Sequence, residues 1–484
     1  MDPPAHLLIL PYPLQGHITP LMQLSKLLAS RGFAITFVVS DYILKQMLNA
    51  RQALPADHLQ RLGITLVGIG DGLADLRERH CVLQYEDFIT SLLFMHTSFD
   101  ELVGEMVQGE GFPITCIISD SFLLWSQDVA DKWHIPRIAF WPNSLAAFAC
   151  SISLPGIMAE SPNLDPLKAQ VYEEESQELV TCIPGIPEIQ ACMLPFRTLG
   201  GEHSELWLRH HIESQIERVN APLCFIANSF PELEGDIHTQ LQEFLPSKPI
   251  LTLGPLLPST FLGGDDDCGT GSSLSDEDEE CMQWLDKQSP NSVLYISFGS
   301  VSTMNERDLL EFSLGLFASN QPFLWVFRST SAGESPPNLE NALGKIINWA
   351  PQAKVLSHEA VGGFLTHCGW NSTLESLSSG VPVLGWPHML DQSTNCWFLV
   401  EKLKVGLRLE LDDCKRVGRI GVEKGIRRLM QEKESQFMRE RASTFQRLAK
   451  ASFKDTLSLS MDYLVETIES SSDTRDLCLS ICNP

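Results

Sequence analysis

Two small groups of residues in this chain have the types and spacing to do chemistry together. The first is His367-Cys-Gly-Trp-Asn-Ser-Thr-Leu-Glu375, which follows the apolar run 361–366. A strand that gives way to polar, cap-forming residues predicts a helix opening there. A helix N-terminus presents unpaired N–H groups and a partial positive charge, a ready seat for a diphosphate. Gly369 lets the backbone approach closely, Asn371 and Ser372 add donors, and His367 can donate a hydrogen bond to phosphate. Charge developing on a departing diphosphate would meet fixed dipoles there.

The second group is His17 and Asp120. A neutral hydroxyl is a poor nucleophile at pH 7, so attack by an alcohol calls for a base, most often histidine. His17 lies between the first predicted strand, residues 7–10, and the first predicted helix. That is the carboxyl edge of the sheet, where open α/β folds bind ligands. The nearby helix N-terminus disfavours imidazolium and keeps the ring able to accept a proton. Asp120 follows the strand 114–119 on the same edge. A carboxylate there can accept the imidazole N–H and stabilise the cation that forms.

The elements that must hold these groups follow from periodicity. Pro20 sits where a helix can begin, Leu21, Leu24, Leu27 and Leu28 recur at helical spacing, and Gly32 can close it. Strands are expected at 33–39, 64–69, 114–119, 137–141 and 224–228, then at 292–298, 323–327, 361–366, 382–386 and 405–409. Alternating strands and helices imply parallel sheets covered on both faces. The expected fold is therefore α/β, with two tandem Rossmann-like doubly wound domains. Turn-forming Leu253-Gly-Pro-Leu-Leu-Pro258 places the boundary at 253/254, giving domains at 1–253 and 254–455. Residues 456–484 are expected to form a C-terminal helix and tail, helical as far as Glu469 and then frayed. Residues 265–280 carry eight acidic and no basic side chains, and read as a solvated loop within 259–280.

Composition narrows the partners. The 484 residues suit two domains, and 44% hydrophobic residues suffice for two cores. A net charge of −26 repels nucleic acid and anionic lipid. Thirteen cysteines without a CxxC pair fit reduced thiols rather than a disulfide framework or a zinc site. The N-terminus has no signal-peptide pattern, and no apolar run approaches 18 residues, so a cytoplasmic location without membrane insertion is expected. In that setting the sequon at Asn371 carries no meaning. The Gly-Ile-Gly-Asp-Gly segment at 68–72 is not the GxGxxG dinucleotide fingerprint. No GxSxG elbow occurs, and Gly344-Lys345 continues with Ile rather than Ser or Thr, so dehydrogenase, hydrolase and P-loop readings fall.

The 44 residues 349–392, opening Trp-Ala-Pro-Gln and closing Met-Leu-Asp-Gln, resemble the signature box of plant family 1 UDP-sugar glycosyltransferases position by position. The likeness extends to Pro13-Leu-Gln-Gly-His-Ile-Thr-Pro20, Ile118-Ser-Asp120, Leu253-Gly-Pro255 and Ser297-Phe-Gly-Ser300. The resemblance implies a metal-independent, inverting transfer from a UDP-sugar to a small hydroxylated acceptor, with the GT-B architecture: two Rossmann-like domains facing across a cleft, 1–253 binding the acceptor, 254–455 the UDP-sugar, and 456–484 packing back on the first domain. It makes His17 and Asp120 the catalytic dyad. It implies that Trp349 stacks on uracil, Ala350 meets it through the backbone, Gln352 and Glu375 hold the ribose, and Asp391 and Gln392 bind the sugar. His367, Gly369, Asn371 and Ser372 would hold the phosphates, and Ser300 completes the donor set. Trp370 and Gln392 match the glucose-preferring pattern. No cofactor or metal is implied beyond the co-substrate UDP-glucose, and a monomer is expected.

One position departs from this pattern. Where many relatives carry a Thr that touches the sugar 6-hydroxyl, Trp141 is followed by Pro142, leaving Asn143 or Ser144 to replace it. UDP-galactose or UDP-xylose is the alternative donor, and a UDP-sugar-binding protein without catalysis the alternative function. The acceptor pocket is expected near Leu14, Phe88, Phe122, Leu123, Phe196 and Met389, all apolar, which suits an aromatic or terpenoid aglycone.

Overall fold

The computed structural model describes residues 5–49, 56–73, 85–109, 113–164, 178–196, 212, 214–264, 280–299, 304–328, 343–412 and 416–482. The first domain holds strands β1 (His6–Leu10), β2 (Ala34–Ser40), β3 (Ile64–Ile69), β4 (Ile114–Asp120) and β5 (Arg137–Trp141). A short antiparallel pair follows, β6 (Leu179–Val180) and β7 (Ile189–Gln190), then β8 (Phe225–Ala227) and β9 (Ile250–Thr252). The second domain holds β10 (Val293–Ser297), β11 (Phe323–Val326), β12 (Gly344–Ile347), β13 (Val361–Thr366), β14 (Val383–Gly385) and β15 (Gly406–Arg408). The sheet orders are β3-β2-β1-β4-β5-β8-β9 and β12-β11-β10-β13-β14-β15.

Every pairing within these two sheets is parallel. Central strands such as β1, β10 and β13 are buried along nearly their whole length, as continuous apolar runs require when both sheet faces are covered by helices. In each sheet the order reverses beside the first strand, at β1/β4 and at β10/β13. The crevice at such a point is where open α/β sheets take ligands. The two domains even share an irregularity: register shifts between His6 and Leu7 against β4, and between Val293 and Leu294 against β13.

One hydrophobic cluster crosses the domain boundary, joining Trp141, Phe148 and Phe196 to Trp370, Cys396 and Phe398. The final helix, Glu434–Cys482, ties the domains a second time. Its Ala442, Phe445 and Ala449 pack with Leu374 and Leu377 of the second domain. Farther along, Leu457, Met461, Leu464 and Ile468 join Leu7, Ile9 and Ile18 of the first, and Arg31 pairs with Asp462. Helical backbone continues past Glu469, where the polar composition predicts fraying. The acidic residues 265–279 lie outside the described residues.

The first helix is longer than the sequence suggests. It spans Gln15–Ser30, so Pro20 is interior and His17 is in the helix's first turn, not in the loop before it. Proline was expected to mark the start because it lacks an N–H. The structure tolerates it inside because the carbonyl it would have served, Gly16, is taken by a donor from the other domain.

Candidate active site

β1 delivers the chain to the loop 11–14, and the helix begins without a side-chain cap. The His17 N–H reaches the Leu14 carbonyl at 2.9 Å, fixing the first turn. From there the imidazole Nδ1 lies 2.7 Å from Asp120 Oδ2. Asp120 is the last residue of β4 and fully buried, while the His17 side chain keeps 17% of its surface exposed. A carboxylate at Nδ1 holds that nitrogen as the N–H donor and leaves Nε2 as the acceptor. The other carboxylate oxygen accepts the Phe122 N–H at 2.9 Å.

Behind this pair lies Arg137, buried at the start of β5. Its Nε donates to Ser119 Oγ at 2.7 Å, and one terminal nitrogen donates to the Asp120 carbonyl at 3.5 Å. Burial lowers its guanidinium to about 10, and the Asp120 charge opposes that shift. Around the imidazole stand Tyr12, with ring centroids 5.0 Å apart, and Phe122, edge-on at 5.6 Å. Phe88 meets Tyr12 at 5.4 Å, and Trp141 stacks on Phe122 at 5.5 Å. Of the expected acceptor residues, Leu14, Phe88 and Phe122 are partly exposed near His17. Leu123 and Phe196 are core, and Met389 is 8% exposed.

Across the cleft, β13 ends at Thr366 and the helix Trp370–Ser379 begins after Gly369, again without a side-chain cap. Its first N–H groups are therefore available to a ligand. A Cβ at Gly369 would meet His367 Nε2 at 2.4 Å, and one at Gly299 would meet the same atom at 2.6 Å. The two glycines clamp the imidazole. Desolvation drops His367 to about 4, partly offset by a backbone bond at Ser297, so the ring is neutral at pH 7. Among the described residues no group hydrogen-bonds its buried Nδ1.

The other expected donor residues group beside this turn. Gln352 Nε2 donates to Ser372 Oγ at 2.9 Å and to Glu375 Oε2 at 2.6 Å, while its Oε1 accepts from the Tyr295 hydroxyl at 3.1 Å. Burial raises Glu375 to about 7 against the pull of the Gln352 bond. Trp349 is partly exposed, adjoins buried Ala350, and carries the Arg328 guanidinium 5.0 Å from its ring centroid. Arg328 also donates to the Gly299 carbonyl at 2.7 Å. Burial raises Asp391 to about 6; its bond from Asn395 and the proximity of His17 oppose that. Gln392 Oε1 accepts the His388 and Met389 N–H groups at 2.9 and 3.1 Å. Ser300 lies outside the described residues.

The structure also shows what two further expected residues bond to. The Trp370 ring is turned into the interdomain core, where its N–H donates to the Asn228 carbonyl at 2.7 Å. Ser144 is no free substitute for the missing Thr. Its hydroxyl caps Ala147 and donates to Asn395 Oδ1 at 2.7 Å across the domain boundary, leaving Asn143 as the partly exposed neighbour of Pro142. Tyr12, Arg137, Asn228, Tyr295, Arg328 and Asn395 were missed from sequence. Each reads there as ordinary core or strand-end chemistry, and only the fold brings them to the site.

Among the described residues no three His, Cys, Asp or Glu side chains converge to hold a metal ion, and no helix is long and apolar enough to cross a membrane.

Comparison with known proteins agrees with this geometry. Residues 241–444 match the family described as UDP-glucuronosyl and UDP-glucosyl transferase, and residues 5–70 match the glycosyltransferase N-terminal domain. UDP-glycosyltransferase 85A2 of Arabidopsis thaliana is 33% identical, covering 92% of this chain and 93% of that one. The 7-deoxyloganetin glucosyltransferase of Gardenia jasminoides is also 33% identical, covering 96% and 97%. The crystal structure of Os79 from O. sativa in complex with UDP superposes with a TM-score of 0.78 at 27% identity, covering 96% of this chain and all of that one. With a capless helix N-terminus facing a His–Asp pair across two Rossmann-like sheets, and with relatives matched along nearly its whole length, the chain belongs to the plant family 1 UDP-sugar-dependent glycosyltransferases.

Proposed function

We propose that the chain transfers glucose from UDP-glucose to a hydroxyl of a small, largely apolar acceptor, with inversion at the anomeric carbon, to give a β-glucoside. The observation that carries this reading is the His17–Asp120 pair at one switch point, opposite the open helix N-terminus at the other. His17 Nε2 takes the proton as the acceptor oxygen attacks the anomeric carbon. The bond from that carbon to the diphosphate oxygen breaks on the opposite face, and UDP leaves. Asp120 stabilises the imidazolium, and the proton then passes to solvent.

The leaving diphosphate docks on the N–H groups at Trp370–Ser379, with Asn371, Ser372 and neutral His367 as further donors. Trp349 carries the base, Gln352 and Glu375 the ribose, and Asp391 and Gln392 the sugar hydroxyls. These fixed dipoles support charge stabilisation without a divalent ion, so turnover should survive EDTA. The aromatic surroundings of His17, formed by Tyr12, Phe88 and Phe122, favour a ring-bearing acceptor.

The test is a mass-read screen of hydroxylated compounds with UDP-glucose, UDP-galactose and UDP-xylose. Glucosides are the expected products. A clear preference for another sugar overturns the donor, and UDP binding without any transfer overturns the enzyme reading.

A further inference from the structure

The first helix contains a proline at its sixth residue, and this defect meets the other domain. Residue 20 of a regular helix would donate its N–H to the Gly16 carbonyl, but proline has none. The Gly16 carbonyl instead accepts from Asn371 Nδ2 at 2.5 Å, a bond that crosses the cleft. Asn371 is the second residue of the helix Trp370–Ser379. The neighbouring Trp370 donates to another carbonyl of the first domain, that of Asn228. Two successive residues at the open end of one helix thus hold the opposite domain by its backbone.

The location of the accepting carbonyl gives this contact a consequence for the reaction. Gly16 and His17 share a peptide plane, so a group gripping the Gly16 oxygen also fixes the His17 nitrogen and the start of its side chain. A Cβ on Gly16 would stand 3.5 Å from Asn371 Nδ2, in ordinary van der Waals contact, so the amide lies directly against this turn. A primary amide carries two N–H donors, and can therefore hold the carbonyl with one while the other turns toward a phosphate oxygen.

We propose that Pro20 is a positioning residue: by withholding an N–H it reserves the Gly16 carbonyl for Asn371, so that docking of the donor diphosphate and placement of the His17 imidazole are one coupled event. This rests on the reading that UDP docks at the N-terminus of Trp370–Ser379. It explains an otherwise costly proline within a buried helix.

The test is Pro20→Ala. Alanine supplies the missing N–H, so the Gly16 carbonyl gains an internal partner that competes with Asn371. Alanine is also the better helix former, so the melting temperature should hold or rise. UDP affinity by calorimetry should weaken roughly three- to ten-fold, the worth of one hydrogen bond. In wild type, saturating UDP should slow amide exchange both at 370–376 and at 15–24. In the variant only the first effect should remain. A double-mutant cycle with Asn371→Ala completes the test, because Pro20→Ala should change UDP affinity little once Asn371 is gone.

Wild-type UDP affinity and wild-type protection at 15–24 in Pro20→Ala overturn the proposal. So does an additive cycle, or a fall in melting temperature that accompanies the loss. If the wild-type protein fails to bind UDP at all, the donor-site reading fails instead.

Discussion

Asp120 engages both of its carboxylate oxygens inside the fold, Oδ2 with His17 Nδ1 at 2.7 Å and Oδ1 with the Phe122 N–H at 2.9 Å. It is thereby fixed in rotation, and the plane of the imidazole is set with it. An asparagine in its place can present an amide N–H to Nδ1, which forces the proton onto Nε2 and removes the acceptor. Asp120→Asn should lower kcat by roughly 10³- to 10⁴-fold, by analogy with other His–Asp pairs, while UDP affinity stays within about two-fold. His17→Ala should abolish transfer with the same retention of UDP. Steady-state rates and calorimetry on the two variants check this, and unchanged turnover in either removes that residue from its role.

Arg137 supplies a second, electrostatic constraint on the same pair. A buried cation behind Asp120 disfavours uptake of a further proton by the dyad. Asp391 faces His17 from the other domain, and Arg218, Asp131 and Cys116 surround Arg137. Arg137→Met leaves these in place and removes one positive charge, so the acid limb of the kcat/KM profile should move to higher pH. Arg137→Lys keeps the charge and should restore much of the wild-type profile. A Met variant with lower activity but an unmoved acid limb would make Arg137 a packing residue only.

The sequence reveals the parts of the site that are local, and hides those that depend on packing. The run 361–366 and the helix after it can be read because an apolar strand and a polar helix start sit side by side in the chain. His17 and Asp120 are visible for the same reason, each lying at the end of its own strand. Strand β12 escapes notice because an edge position needs few apolar residues: it is partly exposed at Gly344, Lys345 and Ile346, while β9 is only three residues long. Pro20 misleads because local propensity sets it at a helix start, while a tertiary hydrogen bond makes it tolerable inside. Arg137 reads as a strand's polar end, and nothing in its neighbours announces a guanidinium behind a carboxylate 17 residues earlier. The role of Trp370 in joining the domains depends on Asn228, 142 residues away, and no spacing rule reaches that far.

The Arg328 guanidinium lies 5.0 Å from the Trp349 indole centroid and is anchored to the Gly299 carbonyl, a pair that under the proposed function would serve as the platform for a flat base. Base–aromatic stacking is worth about 1–3 kcal/mol, so Trp349→Ala should weaken UDP binding by roughly ten-fold or more. Inhibition by inorganic pyrophosphate, which has no base, should be unaffected. Arg328→Leu should give a smaller loss for UDP, and the double variant less than the sum, because the two side chains act as one unit. Equal weakening of UDP and pyrophosphate by Trp349→Ala would place the ring away from the base.

Glu234 provides the clearest dependence of stability on pH. Its Oε1 accepts the Ala146 N–H at 2.9 Å and its Oε2 the Ser229 hydroxyl at 2.6 Å, so it stands at the N-terminus of the helix Leu145–Ile152, which Ser144 links to Asn395. Burial raises the carboxyl to about 7, and these bonds only partly offset it. In the unfolded chain a glutamate titrates near about 4.3. Between those values the folded protein holds a proton that the unfolded chain has released, so this residue's contribution is complete below about pH 4 and is lost as pH rises toward 7. Above that the penalty is constant. Glu234→Gln keeps the shape and most of the hydrogen bonds but does not titrate. Its stability relative to wild type should therefore rise with pH, by on the order of 2 kcal/mol between pH 4.5 and pH 8. Thermal melts of both proteins across that range measure it. A difference in melting temperature that stays flat from pH 5 to pH 8 would mean that Glu234 is ionised throughout, with the helix N-terminus and Ser229 compensating fully for its burial.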